Sequence, residues 1–587
     1  MIVVVKSIYL ICMKELLLVL FSLLCCISYS SVAQSSGAQS ESKISETVAL
    51  DDKILALMQE ADIPGLSMAI IKKGKLSFLK EYGLSNTATK VPVKENTVFE
   101  AASLGKPLFG YLVLKLTDKG IIELDTPLGN YVGEGFSNEK RNLADRITAR
   151  MVLSHTTGLP NTKQGNKPLV FAFTPGEKFS YSGEGILLLQ QVIEQITKTG
   201  LEQLMEQHVF SPLNMNHTSF VWQPEYDSLK AFAHNELMEV AGRRKPLDAN
   251  AANALHTTAS DYAKFLIAAL KGEGLKKKTY KEMIRPQVQT DSTCVICLSP
   301  SKATHLSMRL AWGLGWGIEK EKGNNWLWHW GDNVTYKGYA MGNLKSKDAI
   351  VYFANNTNGL SITEELIKMT LGTSIYSMEW LGYEPYNTPV KKHLKDIVNN
   401  KEKAIQAIKN KNQNDELTTV QLNWIGQQLV NRRMYDEAIA IFSLSISKDS
   451  ASFPAQMGMG EAYLKNKKKF LALKHLKKAL VLSPQNNQLD RKIKLLEKPE
   501  IMIEPKVAAS YVGKYKSVIG VLTITKEEKT FFVELEGNPK EELIPDTKDI
   551  FISADAGVQL QFSQKQEGVL EIEITAGIQK FSANKIE

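Results

Sequence analysis

At 587 residues the chain exceeds one ordinary domain, because single cores rarely grow past about 250–300 residues before splitting, so roughly two to four domains are expected. With 43% hydrophobic and 23% charged residues, most of it falls in the globular class and not the disordered one. The formal charge of +8 is mild for this length. Lysines are dispersed apart from Lys276–Lys278 and Lys465–Lys469, which read as solvated helix faces, and the absence of a basic patch or binding motif argues against nucleic acid as a partner.

Lys14 and Glu15 precede an apolar run from Leu16 to Ile27, and small polar residues then end in Ser31-Val32-Ala33. This is the pattern of a signal peptide over residues 1–33, so export to the periplasm or the medium is expected. Met13-Lys14 would itself make a normal start, which makes residues 1–12 read as an upstream extension. A lipidated Cys25 or Cys26 and an uncleaved anchor are the alternatives. No later segment reads as membrane-spanning. Loss of the leader leaves Cys294 and Cys297, a lone C-x-x-C without the second pair or histidines of a zinc site, which reads as a local loop disulfide more readily than a redox centre.

A Ser/Gln-rich tether, residues 34–47, leads into a helical pattern from Val48 to Ala61. Gly65–Ile71 and Leu76–Tyr82 then read as a hairpin turning at Lys72-Lys73-Gly74. Helical periodicity returns at Leu108, Leu112 and Leu116 and through Ile186 to Ile196, while Trp312–Ile318 and Ala349–Ala354 read as strands. Helices bracketed by strands at both ends predict one α+β domain, residues 48–383, whose sheet joins the two ends. A polar, Lys- and Asn-rich linker, residues 384–414, follows. Over residues 415–500, Gly426, Ala438, Phe442 and Ser445 recur 34 residues later as Gly460, Ala472, Leu476 and Ala479. That is the tetratricopeptide period: small residues let two antiparallel helices approach and large ones fill the gap. Such repeats bind a protein partner or connect domains, and two copies need the linker helix or a neighbouring domain to cover their apolar ends. From residue 505 to 587, short alternating segments such as Val521–Thr525, Thr530–Leu535 and Leu570–Ile574 predict a small antiparallel β domain.

The chemistry concentrates in three places. In Ala101-Ala-Ser103-Leu-Gly-Lys106-Pro107, a helix opening at Ser103 would put Ser103 and Lys106 one turn apart on one face, close enough for the amine to take the hydroxyl proton. Pro107 suits a first turn. Spacing alone decides little, since Ser40/Lys43, Ser299/Lys302 and Ser445/Lys448 share it. Tyr181-Ser182-Gly183 and His329-Trp330-Gly331 follow in order.

The set resembles the S-x-x-K, tyrosine-led and K-T-G or H-x-G motifs of penicillin-recognising, β-lactamase-related serine hydrolases. Ser154–Pro160 is similar to that family's structural H-T-S-G-L-P segment, and Pro212–Met215, Thr257–Asp261 and Gly313–Gly317 match further segments in order, over roughly Leu55 to Asn358. The resemblance implies a β-lactamase/transpeptidase-like α/β sandwich, and the last domain resembles the lipocalin-like modules that often follow it. It implies Ser103 as the acylated nucleophile, Lys106 and Tyr181 as its activating pair, His329 at the third motif, and Gly183, Gly331 and Asp332 on the substrate side. The oxyanion would be held by the backbone N–H groups of Ser103 and Asp332. No metal or organic cofactor is implied, and the sequence has no H-E-x-x-H.

Two departures bear on substrate. Gly183 stands where the family often has an asparagine amide, and His329 stands where a lysine would carry a fixed charge. The missing amide weighs against a β-lactam or peptide substrate, the histidine resembles the esterase and D-aminopeptidase branches, and both point away from efficient β-lactamase action, with small esters, D-amino-acid peptides or amides, and β-lactams as candidate small-molecule or peptide substrates, in falling order. A sensor that is acylated without turnover, its repeats contacting a partner, is the alternative. Taken singly, Ser103 reads as a helix cap, Tyr181 as a half-buried ring and His329 as a strand residue, but their order along a family-like domain outweighs those readings. His155 reads as structural, and Trp326, Trp328 and Trp330 as packing. The leader pattern generates a test: mass-spectrometric sequencing of protein from the native host should find Gln34 as the mature N-terminus, whereas a lipid-modified Cys25 or Cys26 would contradict it.

Overall fold

The computed structural model describes residues 49–586 apart from 134–135, 164–167, 236–237, 291–305, 307, 413–416, 500, 518–519, 536–539, 554–557, 565–569 and 577–578. The leader, the tether and the Cys294/Cys297 pair lie outside the described residues. The chain divides after Gln59 into two compact units, and the described part of the first, residues 49–59, is helical.

The second unit opens with the hairpin β1 (Gly65–Lys72) and β2 (Lys75–Asn86), turned by Lys73 and Gly74, both at positive φ. Short strands β3 (Val91–Pro92) and β4 (Phe99–Ala102) precede helix α1 (Gly105–Asp118). Helix α2 (Gly183–Thr197), strand β5 (Leu255–Thr257) and helix α3 (Ala259–Lys271) follow, then β6 (Val288–Gln289), β7 (Leu310–Trp312), β8 (Gly317–Glu321), β9 (Asn324–Asp332), β10 (Lys337–Asn343) and β11 (Ala349–Ala354). Nine strands form one sheet in the order β3-β2-β1-β11-β10-β9-β8-β7-β6. The pairing of β1 with β11 joins the two ends of the domain, as the order of elements in the sequence predicts.

Strand period 2 gives the sheet two buried faces. On β11, Phe353 packs edge-on against Tyr262 of α3, while its neighbour Tyr352 points the other way and bonds Thr363 of the helix Thr363–Leu371 at 2.5 Å. Helices thus cover both sides, the layered arrangement that strands buried along their whole length, such as β11 and β10, require. Residues Trp312–Ile318, read from sequence as one strand, are instead the end of β7, a turn and the start of β8: Gly315 takes φ +83° and Gly313 N–H bonds the Trp316 carbonyl at 2.8 Å. The glycines at 313, 315 and 317 supply the break.

Beyond the sheet, residues of the linker are helical (Pro389–Asn412, interrupted at Lys401), and Val390, Leu394, Ile397, Ile405 and Ile408 share a core with Leu422, Ile425, Leu429 and Phe442. Helices α4 (Thr419–Asn431) and α5 (Tyr435–Lys448) are followed by α6 (Phe453–Lys465) and α7 (Lys469–Leu482), each 34 residues after its counterpart. A Cβ at Gly426 would lie 2.7 Å from the Phe442 ring, and one at Gly460 would lie 2.6 Å from Leu476, so these glycines set how closely each pair packs. The remaining strands, β12 (Gly513–Ser517) through β19 (Gln579–Lys585), close into an antiparallel eight-stranded barrel around Tyr515, Ile524, Phe531, Phe551, Phe562 and Ile572. Among the described residues, no helix is long and apolar enough to cross a membrane.

Branched bulk at Gly426 has nowhere to go. Gly426→Val should destabilise the helical region by roughly 1–3 kcal/mol through overpacking, read as a lowered calorimetric transition; an unchanged profile would contradict the packing described.

Candidate active site

Strand β4 delivers Ser103 to the sheet through a strained step. Ala102 sits at φ +50°, uncommon for a residue with a Cβ, and Ser103 occupies the following turn. The helix begins two residues later, at Gly105, with Leu104 as its cap residue, so Ser103 precedes the helix and does not cap it. Lys106 is nevertheless one turn away: its Nζ lies 2.9 Å from Ser103 Oγ and donates to the Ala252 carbonyl at 2.6 Å. That carbonyl also lies 3.5 Å from Ser103 Oγ. Lys106 is 2% exposed, and burial alone pushes its pKa down from 10.5 to about 7.

Tyr181 reaches the same point just ahead of α2. Lys106 Nζ sits over its ring, 4.8 Å from the centroid, and the hydroxyl faces Ser103 without a properly formed hydrogen bond to any described residue. Burial holds this phenol well above its ordinary pKa, so it stays protonated. His155, at φ +55°, grips both flanks of Tyr181: its carbonyl accepts from Ser180 N–H at 2.8 Å and its Nδ1 from Ser182 N–H at 3.1 Å, with its ring 4.3 Å from that of Tyr181. An Nδ1 that accepts carries no proton. Accordingly burial, then the nearby Lys106 and His329, keep the His155 pKa far below its usual value.

His329 on β9 is fully enclosed, and burial followed by the Lys106 charge pushes its pKa to about 3, so it is neutral near neutrality. Its Nδ1 lies 2.8 Å from the Trp330 carbonyl, while Nε2 has no partner among the described residues. The tryptophans pack: Trp328 is fully buried, and Trp330 lies 4.8 Å, ring to ring, from Tyr181. Gly331 and Gly338 face each other across β9 and β10. A Cβ at Gly331 would stand 2.2 Å from the Ala101 carbonyl, and one at Gly338 3.0 Å from Leu104, so the pair admits the nucleophile turn to the sheet. The Asp332 carboxylate bonds Lys337 at 2.5 Å, the Val334 N–H at 2.8 Å, and Tyr383.

Gly183 is buried at the start of α2, and its N–H donates to Asn161 Oδ1 at 3.1 Å. A Cβ there would come within 2.5 Å of the Asn161 carbonyl, which is why a larger residue is absent. A carboxamide therefore does stand beside position 183, supplied by Asn161. The structure thus brings Ser103, Lys106, Tyr181 and His329 together. The sequence reading missed Ala252, which acts through an anonymous backbone carbonyl, and Asn161, just past the Ser154–Pro160 segment.

The Beta-lactamase family model matches residues 50–367, and the chain belongs to that family. It is 31% identical to "Protein flp" of Staphylococcus aureus strain MW2 over 180 residues, 28% of this chain and 36% of that one. It is 33% identical to a "Beta-lactamase" of Pseudomonas fluorescens over 187 residues, 30% of this chain and 51% of that one. The chain thus spans between about a third and a half of the length of these curated relatives. Among solved structures, an octameric penicillin-binding protein homologue from Pyrococcus abyssi aligns at 15% identity and TM-score 0.45 over 92% of this chain and all of that one. A D-alanine carboxypeptidase from Burkholderia cenocepacia aligns at 19% identity and TM-score 0.45 over 56% of this chain and 99% of that one.

The close approach at Gly331 is directly testable. Gly331→Ala should force β9 and the nucleophile turn apart, lowering stability by roughly 1–3 kcal/mol in denaturant unfolding; a neutral effect would show that the approach is not tight.

Proposed function

We propose that the protein is an exported serine hydrolase that cleaves an ester or amide through an acyl-enzyme on Ser103. The observation that carries this reading is the buried Lys106 amine 2.9 Å from Ser103 Oγ, with a pKa of about 7. At that value a large share of the amine is free base at neutral pH. Lys106 takes the Oγ proton as Oγ bonds to the substrate carbonyl carbon. The carbonyl electrons move to oxygen, held by the Ser103 and Asp332 backbone N–H groups, each typically worth about 3–4 kcal/mol in the transition state. Collapse expels the leaving group, which takes the proton back from the Lys106 ammonium, with the Tyr181 phenol as the relay between them. Water then cleaves the acyl-enzyme by the same steps, and Ser103 is restored.

The neutral, enclosed His329 favours a substrate without an obligatory carboxylate, which supports the esterase side of the family. The Asn161 amide beside Gly183 keeps amide-bearing substrates within range. We further propose that the 34-residue offset of the helix pairs marks tetratricopeptide repeats open to a protein partner, and that the closing barrel is a lipocalin-like module.

A fluorophosphonate and a chromogenic ester test the mechanism. Ser103→Ala should abolish covalent labelling, and Lys106→Ala should slow it by roughly 100- to 10,000-fold without unfolding the protein. Labelling of the unaltered protein should rise with pH through about 7, as the Lys106 amine loses its proton. An adduct on another residue, or labelling indifferent to Lys106, would contradict the reading; an adduct that forms from the ester but never clears would instead indicate a sensor.

A further inference from the structure

Next to the nucleophile strand lies a second group of buried charges that the chemistry above does not use. Glu100, on β4 three residues before Ser103, is enclosed, as are Lys230 and His256. Lys230 Nζ donates to Glu100 Oε2 at 3.0 Å, to the Arg244 carbonyl at 2.9 Å and to His256 Nε2 at 2.9 Å. His256 can accept because it is neutral: its Nδ1–H donates to the Ala254 carbonyl at 2.8 Å, and burial together with the Lys230 charge pushes its pKa to about 3. The other Glu100 oxygen takes Arg244 Nη2 at 3.0 Å and the Asn333 side-chain amide. Burial opposes ionisation of Glu100, but Lys230 and Arg244 prevail and hold its carboxyl below the ordinary range.

These contacts converge on one peptide. Arg244 Nη2 donates to the Asn253 carbonyl at 2.6 Å and Asn333 Nδ2 to the same oxygen at 3.1 Å. The preceding residue, Ala252, carries the carbonyl that binds Lys106 at 2.6 Å. Gln190 of α2 holds the rest of the turn, accepting from Ala251 N–H at 2.9 Å and donating to the Ala249 carbonyl at 2.9 Å. Asn333 Nδ2 donates to both the Asn253 carbonyl and Glu100, and Arg244 Nη2 bonds that carbonyl while pairing with the same carboxylate oxygen, so the carboxylate helps to fix where both donors stand.

We propose that Glu100 is a positioning residue of the reaction: by binding Arg244 and Asn333 together it fixes the Asn253 peptide, and through it the Ala252 carbonyl on which Lys106 hangs. This rests on the Ser103–Lys106 reading. Around Lys106 itself stand Ser103, Tyr181, His155 and His329, none of them charged at neutrality. The Ala252 carbonyl is therefore the main contact favouring the ammonium. Loosening it should lower the Lys106 pKa while spoiling its alignment with Oγ.

The test follows fluorophosphonate labelling against pH in the full chain. Glu100→Gln should slow labelling roughly 10- to 100-fold and move the acid limb to lower pH, because the amine gives up its proton more easily. Asn333→Ala, which removes a neutral contact, should change both in the same direction but less. Glu100→Gln/Lys230→Met deletes the ion pair whole and should regain the thermal midpoint lost in Glu100→Gln without regaining the rate. A Glu100→Gln protein that labels at the original rate with an unmoved limb would overturn the inference. So would a double variant whose rate returns along with its stability, since the loss would then have been structural. An unaltered protein that never labels at Ser103 would overturn the hydrolase reading itself, and this inference with it.

Discussion

The burial of one amine is the constraint on which the site depends. Lys106 is enclosed with no carboxylate among the described residues to pair it, and the fall of its pKa from 10.5 to about 7 means that burial disfavours the ammonium by on the order of 5 kcal/mol. A lysine in water would be protonated and useless as a base. The surrounding architecture serves this exclusion: Tyr181 packs beside it and Trp330 against Tyr181, His155 braces Tyr181 from behind, and Gly331 and Gly338 let the Ser103 turn close against the sheet. The neutrality of His155 and His329 follows from the same burial.

Lys230 shows what a different environment does to the same side chain. It is as deeply buried, but Glu100 pairs with it, and its pKa falls only to about 8. Burial lowers both lysines; the carboxylate offsets part of the effect in one and is missing in the other. The unpaired lysine faces the serine, and the paired one belongs to a network that anchors the turn carrying Ala252.

Much of this was legible in the sequence, because motif residues announce their chemistry. Ser103, Lys106, Tyr181 and His329 stand in recognisable order, and the structure gathers them at one point. The first hairpin was readable from an apolar run, a Lys-Lys-Gly turn and mixed alternation, β11 from its apolar run, and the helix pairs from their period. What escaped has physical causes. A backbone carbonyl such as that of Ala252 has no residue signature. Glu100, Lys230, Arg244, His256 and Asn333 are scattered along the chain, and each alone reads as an ordinary polar residue. The contact of Asn161 Oδ1 with the Gly183 N–H brings together residues 22 apart in the chain, which only the fold reveals. The run Trp312–Ile318 looked continuous because its apolar residues mask the turn that Gly313 and Gly315 make.

We propose that Lys106 is the base because burial makes it one. This role is tested most directly by titrating that amine itself, using nuclear magnetic resonance of protein with 13C-labelled lysine side chains and Lys106→Ala to assign the signal. One lysine resonance, absent from the variant, should titrate near pH 7 while the exposed lysines titrate near 10.5. A Lys106 signal that stays protonated to pH 10 would contradict it.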